Sequence, residues 1–313
     1  MAMSPRNIHL IAPSGFCHNP EAAQRGIERL RADGHRVTNT DIIARREQRF
    51  AGSDAQRLGD INDLARLETL PDIVLAVRGG YGASRLLPDL DYKSLAERLR
   101  DRPVALCGHS DFTAIQLALL AKAGIITFSG PMLAGNFGAE TLSDFTVDNF
   151  WLALTSPQFT LRWQTTPQRL DASGTLWGGN LAMIASLIGT PWLPDIRDGI
   201  LVIEDVNEHP FRIERMLLQL LESGVLARQK AIVAGSFTGN TLSDYDNGYD
   251  LTSVWALITQ RSGVPVVSGL DFGHDRNTVT LPLGAQARLS VNGSEAALAI
   301  SGHTAIGLSP VSQ

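Results

Sequence analysis

Along the first half of the chain, apolar residues fall into short runs separated by stretches with helical spacing. Ile8 to Ala12, Ile73 to Val77, Val104 to Cys107 and Ile125 to Phe128 are too short for helices and predict buried strands. After the first run, Asn19 and Pro20 are followed by Ala23, Ile27 and Leu30, and the pattern stops at Gly34. That order of cap, periodic face and glycine predicts an amphipathic helix. Ser94 to Arg100 predicts another. Strands alternating with helices in this way imply an α/β fold whose N-terminal part is a doubly wound, mostly parallel sheet.

From about Ser156 to Gly174 the pattern loosens into polar sequence containing Pro157 and Pro167, as expected of a domain boundary. Residues 1–160 are therefore expected to form one domain and residues 161–313 a second, since 313 residues exceed one compact core. In the second half, Leu201 to Ile203 and Ala231 to Ala234 predict strands. Between them Ile213, Met216, Leu217 and Leu220 share one side of a helix over Arg212 to Glu222. Asn277 to Leu281, Ala287 to Val291 and Ala296 to Ile300 predict short strands joined by glycine-containing turns, a β-rich C-terminal layer.

Composition narrows the classes of function. Hydrophobic residues make up 44% and charged ones 19%, the balance of a soluble globular enzyme. The 27 basic residues are scattered and outnumbered by 32 acidic ones, so nucleic acid is not an expected partner. Two cysteines, Cys17 and Cys107, are too few for a disulfide framework and are expected as reduced, buried thiols. Ile8 to Ala12 is shorter than the ~7–15 apolar residues of a secretion signal, and no run approaches the ~20 of a membrane span. A cytoplasmic protein without membrane attachment is expected. No H-E-x-x-H or paired C-x-x-C motif calls for a metal, and no cofactor is expected. The acidic run Asp244 to Asp250 has its glycine one position early for a calcium loop and lacks the closing glutamate, so it reads as a surface loop.

The candidate chemistry begins at Val104 to Leu117, a strand, a sharp turn at Gly108-His109-Ser110 and then a helix. A serine there projects its hydroxyl from the carboxyl edge of the sheet, beside the first helical N–H groups. Ser110 is thus a nucleophile or a helix N-cap, and the glycine that would complete a G-x-S-x-G elbow is absent. Arg78-Gly-Gly-Tyr-Gly follows another strand, where open α/β sheets bind ligands. A nucleophilic serine needs a base. Of seven histidines, His274 lies in a glycine-containing loop after the strand-like Val266 to Ser268. Glu204 or Asp205, at the end of Ile200 to Ile203, would orient the imidazole.

Several segments, in the same order over nearly the whole chain, resemble the serine peptidase family of L,D-carboxypeptidases. They are Arg78-Gly-Gly-Tyr-Gly-Ala-Ser-Arg, Gly108-His-Ser-Asp-Phe-Thr, Thr127-Phe-Ser-Gly-Pro-Met, Gly174-Thr-Leu-Trp-Gly-Gly-Asn-Leu, the stretch from Glu204 to Met216, and Gly269-Leu-Asp-Phe-Gly-His. The resemblance implies a triad of Ser110, Glu204 and His274 in an interdomain cleft, with an oxyanion hole from the Gly80 and Asp111 amides. It also implies release of D-alanine from cytosolic murein tetrapeptide, free or sugar-linked, by a homodimer. Tyr81, Trp177 and Asn180 are candidate substrate contacts. Arg212 and Arg215 are candidate partners for substrate carboxylates. A self-immunity peptidase acting on peptide-nucleotide toxins, and a non-catalytic two-domain binding protein, are the competing expectations.

Overall fold

The computed structural model describes residues 4–307. In chain order the strands are β1 (Asn7–Ile11), β2 (Arg36–Thr38), β3 (Ile73–Ala76), β4 (Ala105–Gly108), β5 (Thr127–Ser129), β6 (Gln158–Asn180), β7 (Gly199–Val206), β8 (Gln229–Thr238), β9 (Val266–Ser268), β10 (Leu281–Leu283) and β11 (Gln286–Ser301). The helices are α1 (Pro20–Ala32), α2 (Asp54–Asn62), α3 (Tyr92–Leu99), α4 (Thr113–Ala123), α5 (Asp144–Thr155), α6 (Leu181–Ser186), α7 (Pro210–Glu222) and α8 (Leu251–Ser262).

The first sheet runs β10-β5-β4-β3-β1-β2, all parallel except β10. It is the doubly wound sheet expected, and strand order reverses between β1 and β3. The loops after those two strands therefore part around a crevice, the usual ligand position in such sheets. The second sheet runs β11-β6-β7-β8-β9, with β6 to β9 parallel and β11 antiparallel to β6. α4 is apolar on nearly every face because it is covered all round, packing against β5 on one side and α6 and β6 on the other. The carboxyl ends of both sets of parallel strands thereby converge on one cleft.

Three expectations require correction. The polar stretch Ser156 to Gly174 is mostly the first leg of β6, a 23-residue strand. Phe159 and Leu161 point inward and Thr160 and Arg162 outward, so its polar residues are the wet face of a sheet. Pro167 lies where the pairing with β11 shifts register near Gly293, a position where a missing N–H costs no ladder bond. The expected 160/161 division thus falls within a strand. Second, Ala287 to Val291 and Ala296 to Ile300 are two parts of one strand, β11. Third, of Asn277 to Leu281 only Leu281 is in a strand, and β10 pairs with β5, so the C-terminal part of the chain supplies an edge to the first sheet.

Candidate active site

Gly108 ends β4, and a Cβ there would lie 2.5 Å from the Phe112 ring and 3.0 Å from Ala76 Cβ. Only glycine lets the chain turn so tightly. Ser110 follows with φ of +62°, a left-handed backbone that costs a non-glycine residue about 1–2 kcal/mol. The turn over Ser110–Phe112 leads directly into α4. The Ser110 hydroxyl caps neither helical segment; it lies 3.0 Å from His274 Nε2. The N-cap alternative is thereby removed.

The partners of Ser110 come from the second sheet. Glu204 sits in β7 opposite a register shift in which two residues of β8, Gly235 and Ser236, span the place of one. The bulge frees Ser236 N–H, which donates to Phe272 O at 2.7 Å and draws the following loop over Glu204. Gly273 has φ of +149°, and a Cβ there would come within 3.2 Å of Glu204 Cβ. That close approach brings His274 Nδ1 to 2.7 Å from Glu204 Oε2. A carboxylate has no proton to give, so Nδ1–H donates to it and Nε2 is left to accept from Ser110.

A layer behind the triad fixes it. Asn180, the last residue of β6, caps α6 by accepting from Met183 N–H at 3.1 Å. With its Oδ1 so engaged, its Nδ2 donates to Glu204 Oε1 at 3.3 Å and to Asp205 Oδ1 at 3.0 Å. Asp205 also accepts from Ala182 N–H at 2.9 Å, and burial pushes its carboxyl up to about 6. Burial alone would lower the His274 pKa, but the hydrogen bond and charge of Glu204, aided by Asp205 and Asp275, outweigh it and raise the imidazole above its ordinary value. His109 packs edge-on to His274 with centroids 5.0 Å apart, and its Nδ1 lies 2.8 Å from Gly130 O. Burial, with the neighbouring His274, holds His109 down to about 4, so it is neutral.

The LD-carboxypeptidase N-terminal domain family matches residues 8–130, and the LD-carboxypeptidase C-terminal domain family matches residues 173–289. A putative carboxypeptidase of Synechocystis sp. is 33% identical over 288 residues, covering 90% of each chain. The chain belongs to the LD-carboxypeptidase family. A probable murein peptide carboxypeptidase of Bacillus subtilis is 29% identical over 77% of this chain and 75% of its own. The crystal structure of muramoyltetrapeptide carboxypeptidase from Oxalobacter formigenes superposes with a TM-score of 0.88 at 44% identity, covering 95% of this chain and 99% of that one.

In this carboxypeptidase Ser110 and His274 line a cleft of about 550 Å³ together with Arg78, Gly79, Gly80 and Asn207. His274 also borders an adjoining cavity of about 390 Å³ lined by Gly135, Thr141 and Arg276. Gly79 packs against the nucleophile, since a Cβ there would lie 3.1 Å from Ser110 Oγ and 3.5 Å from Asp111 N. Neither the Gly80 nor the Asp111 N–H donates to an acceptor among the described residues, and Gly80, at φ of +103°, is exposed in the cleft. The Asp111 side chain turns away, accepting from Ala83 N–H at 2.9 Å.

Other expected contacts lie elsewhere. Trp177 is wholly buried and donates through Nε1 to Gln229 Oε1 at 2.8 Å, so it is core and cannot meet a ligand. Asn180 is buried behind Glu204 instead of facing the cleft. Tyr81 leans on Phe50 with the Arg49 guanidinium over its ring, and it is exposed outside the cleft lining. Arg212 pairs with Glu208 and Arg215 lies over Phe211, both on α7 away from the cleft. His209 caps α7 and pairs with Asp246 at 3.0 Å, tying down part of the acidic loop. Among the described residues no three His, Cys, Asp or Glu side chains cluster as metal ligands, and no helix is long and apolar enough to cross a membrane.

Proposed function

We propose that the protein is a serine L,D-carboxypeptidase that releases the terminal D-alanine from murein tetrapeptides, with Ser110 as nucleophile, His274 as base and Glu204 as its orienting carboxylate. The observation that carries the reading is the relay from Glu204 through His274 to Ser110, at 2.7 and 3.0 Å across the cleft. The likeness to carboxypeptidases named for murein peptides supports the substrate class.

In this mechanism Ser110 Oγ attacks the carbonyl of the L-configured centre that precedes the terminal D-residue, and its proton passes to His274 Nε2. Glu204 holds the ring by Nδ1 and stabilises the imidazolium. The Gly80 and Asp111 amides, without other acceptors among the described residues, receive the tetrahedral oxyanion, each such donor being worth about 10²–10³ in rate. His274 then gives the proton to the departing amine. A water activated by the same nitrogen cleaves the acyl-enzyme and releases tripeptide. A cytoplasmic homodimer acting in peptidoglycan recycling fits this substrate.

Incubation with murein tetrapeptide, followed by mass spectrometry, tests the reading. Tripeptide and free D-alanine are expected with the wild type and absent with Ser110→Ala; full activity of Ser110→Ala refutes it. Inertness toward tetrapeptide with cleavage of an acyl-sulfamoyl adenylate would instead indicate a self-immunity peptidase.

A further inference from the structure

A carboxypeptidase has to distinguish a chain end from an interior residue, and the feature it can read is the terminal carboxylate, whose carbon lies about 3–4 Å from the attacked carbonyl carbon. We infer that the Arg78 guanidinium is the group that binds this carboxylate. The inference rests on the carboxypeptidase reading and extends it to the residue that makes the site specific for free C-termini.

Arg78 follows β3 at the point where strand order in the first sheet reverses, and it lines the same cleft as Ser110 and His274. Its position relative to the nucleophile is set by the intervening glycines. A Cβ on Gly79 would lie 3.1 Å from Ser110 Oγ, and one on Gly80 would lie 3.2 Å from Arg78 Nη1 and 3.3 Å from Nη2. The hydroxyl and the guanidinium therefore border the same glycine pair within one cleft.

The cation is also unspent. Arg78 is half-buried, and its one hydrogen bond among the described residues runs from Nη1 to Phe16 O at 3.1 Å. A guanidinium carries five N–H donors, so most of its fork remains free. No carboxylate among the described residues lies within ion-pair distance of it; the half-buried Arg25, Arg29 and Arg98 also hold only backbone carbonyls, but of these four arginines Arg78 is the one that lines the cleft. A partly desolvated cation without a counter-ion, facing a substrate cleft, is matched by a planar carboxylate that it can grip through two parallel bonds. Arg276 is another unpaired arginine nearby, but it is exposed and borders the adjoining cavity instead of the cleft around Gly79 and Gly80.

The Phe16 contact offers a purely structural role, in which Arg78 only clamps the loop after β1 to the loop after β3. The experiment separates the two. Affinities of the tetrapeptide ending in free D-alanine and of the same peptide ending in D-alaninamide are measured by calorimetry in a Ser110→Ala background, and kcat/KM for both is measured with active Ser110. The parent should favour the acid by about 10- to 100-fold, the range of a charge-assisted bidentate contact. Arg78→Gln should abolish the preference while leaving amide binding within about twofold, and Arg78→Lys should restore part of it. An equal loss for acid and amide in Arg78→Gln would reduce Arg78 to a clamp and overturn the inference. So would an acid preference that survives Arg78→Gln or disappears instead in Arg276→Gln. Absence of turnover with wild-type enzyme would refute the carboxypeptidase reading on its own, because the binding comparison still reports on Arg78.

Discussion

Glu204→Gln isolates what the orienting carboxylate does, because the structure dictates which way the new amide must face. Asn180 has its oxygen committed to Met183 N–H, so its Nδ2 points at Glu204 Oε1 as a donor. The carbonyl of the introduced glutamine must accept from that Nδ2, which turns the new NH2 toward His274 Nδ1. Facing a donor, Nδ1 gives up its proton and the ring takes the tautomer protonated at Nε2. That nitrogen lies 3.0 Å from Ser110 Oγ and can no longer accept its proton. The same isosteric change in Ser-His-Asp enzymes lowers kcat by about 10⁴, or about 5.5 kcal/mol of transition-state stabilisation, and a loss of that order is expected here. The assay is release of D-alanine from tetrapeptide under saturation, with thermal unfolding to show that the variant remains folded. A second substitution sharpens it. In Asn180→Asp/Glu204→Gln the helix cap is kept, and Asp205, already raised to about 6, can hold a proton against the new aspartate. That aspartate accepts from the glutamine NH2 and turns the amide carbonyl to Nδ1, so kcat should recover by at least about tenfold over Glu204→Gln alone. Retention of kcat within tenfold in the single variant, or a double variant slower than the single, would refute the tautomer argument.

Four further outcomes follow from the same geometry. kcat/KM should rise with pH through an inflection above 6.5, since His274 must be neutral to act as base and its pKa is raised; in Glu204→Gln the inflection should move down. Gly79→Ala places a Cβ 2.9 Å from Ser110 Cβ, so kcat should fall sharply at a stability cost of about 1–3 kcal/mol, readable by denaturant titration. Trp177→Phe leaves Gln229 Oε1 without its buried donor and should cost about 1–3 kcal/mol of stability with KM unchanged, which checks that Trp177 is core. His109 is buried neutral with a folded pKa lowered to about 4, so its contribution is present above pH 6.5 and lost as pH falls toward 4, by about 3 kcal/mol relative to His109→Gln. Asp205, raised to about 6, acts in the opposite sense, so unfolding free energies of the two proteins must be compared at each pH.

Local pattern was enough to find the strands whose burial is uniform along their length. Ile73 to Val77 and Val104 to Cys107 lie within a residue or so of observed strands, because runs buried on both faces need no partner to be recognised. The strand-turn-helix at Ser110 and the loop at His274 were likewise legible, since glycines and apolar runs mark them locally. What stayed hidden is whatever depends on a distant partner. The polar face of β6 resembles a linker until β11 lies beside it, and β10 joins the first sheet only because α4 and β5 present an open edge there. The roles of Trp177 and Asn180 depend on where Gln229 and Glu204 stand, and packing between segments far apart in the chain sets those positions. The meeting of Ser110 with His274 is of the same kind: a bulge in β8 and a glycine at 273 carry the imidazole across the cleft, and no local pattern encodes a distance between residues 164 positions apart.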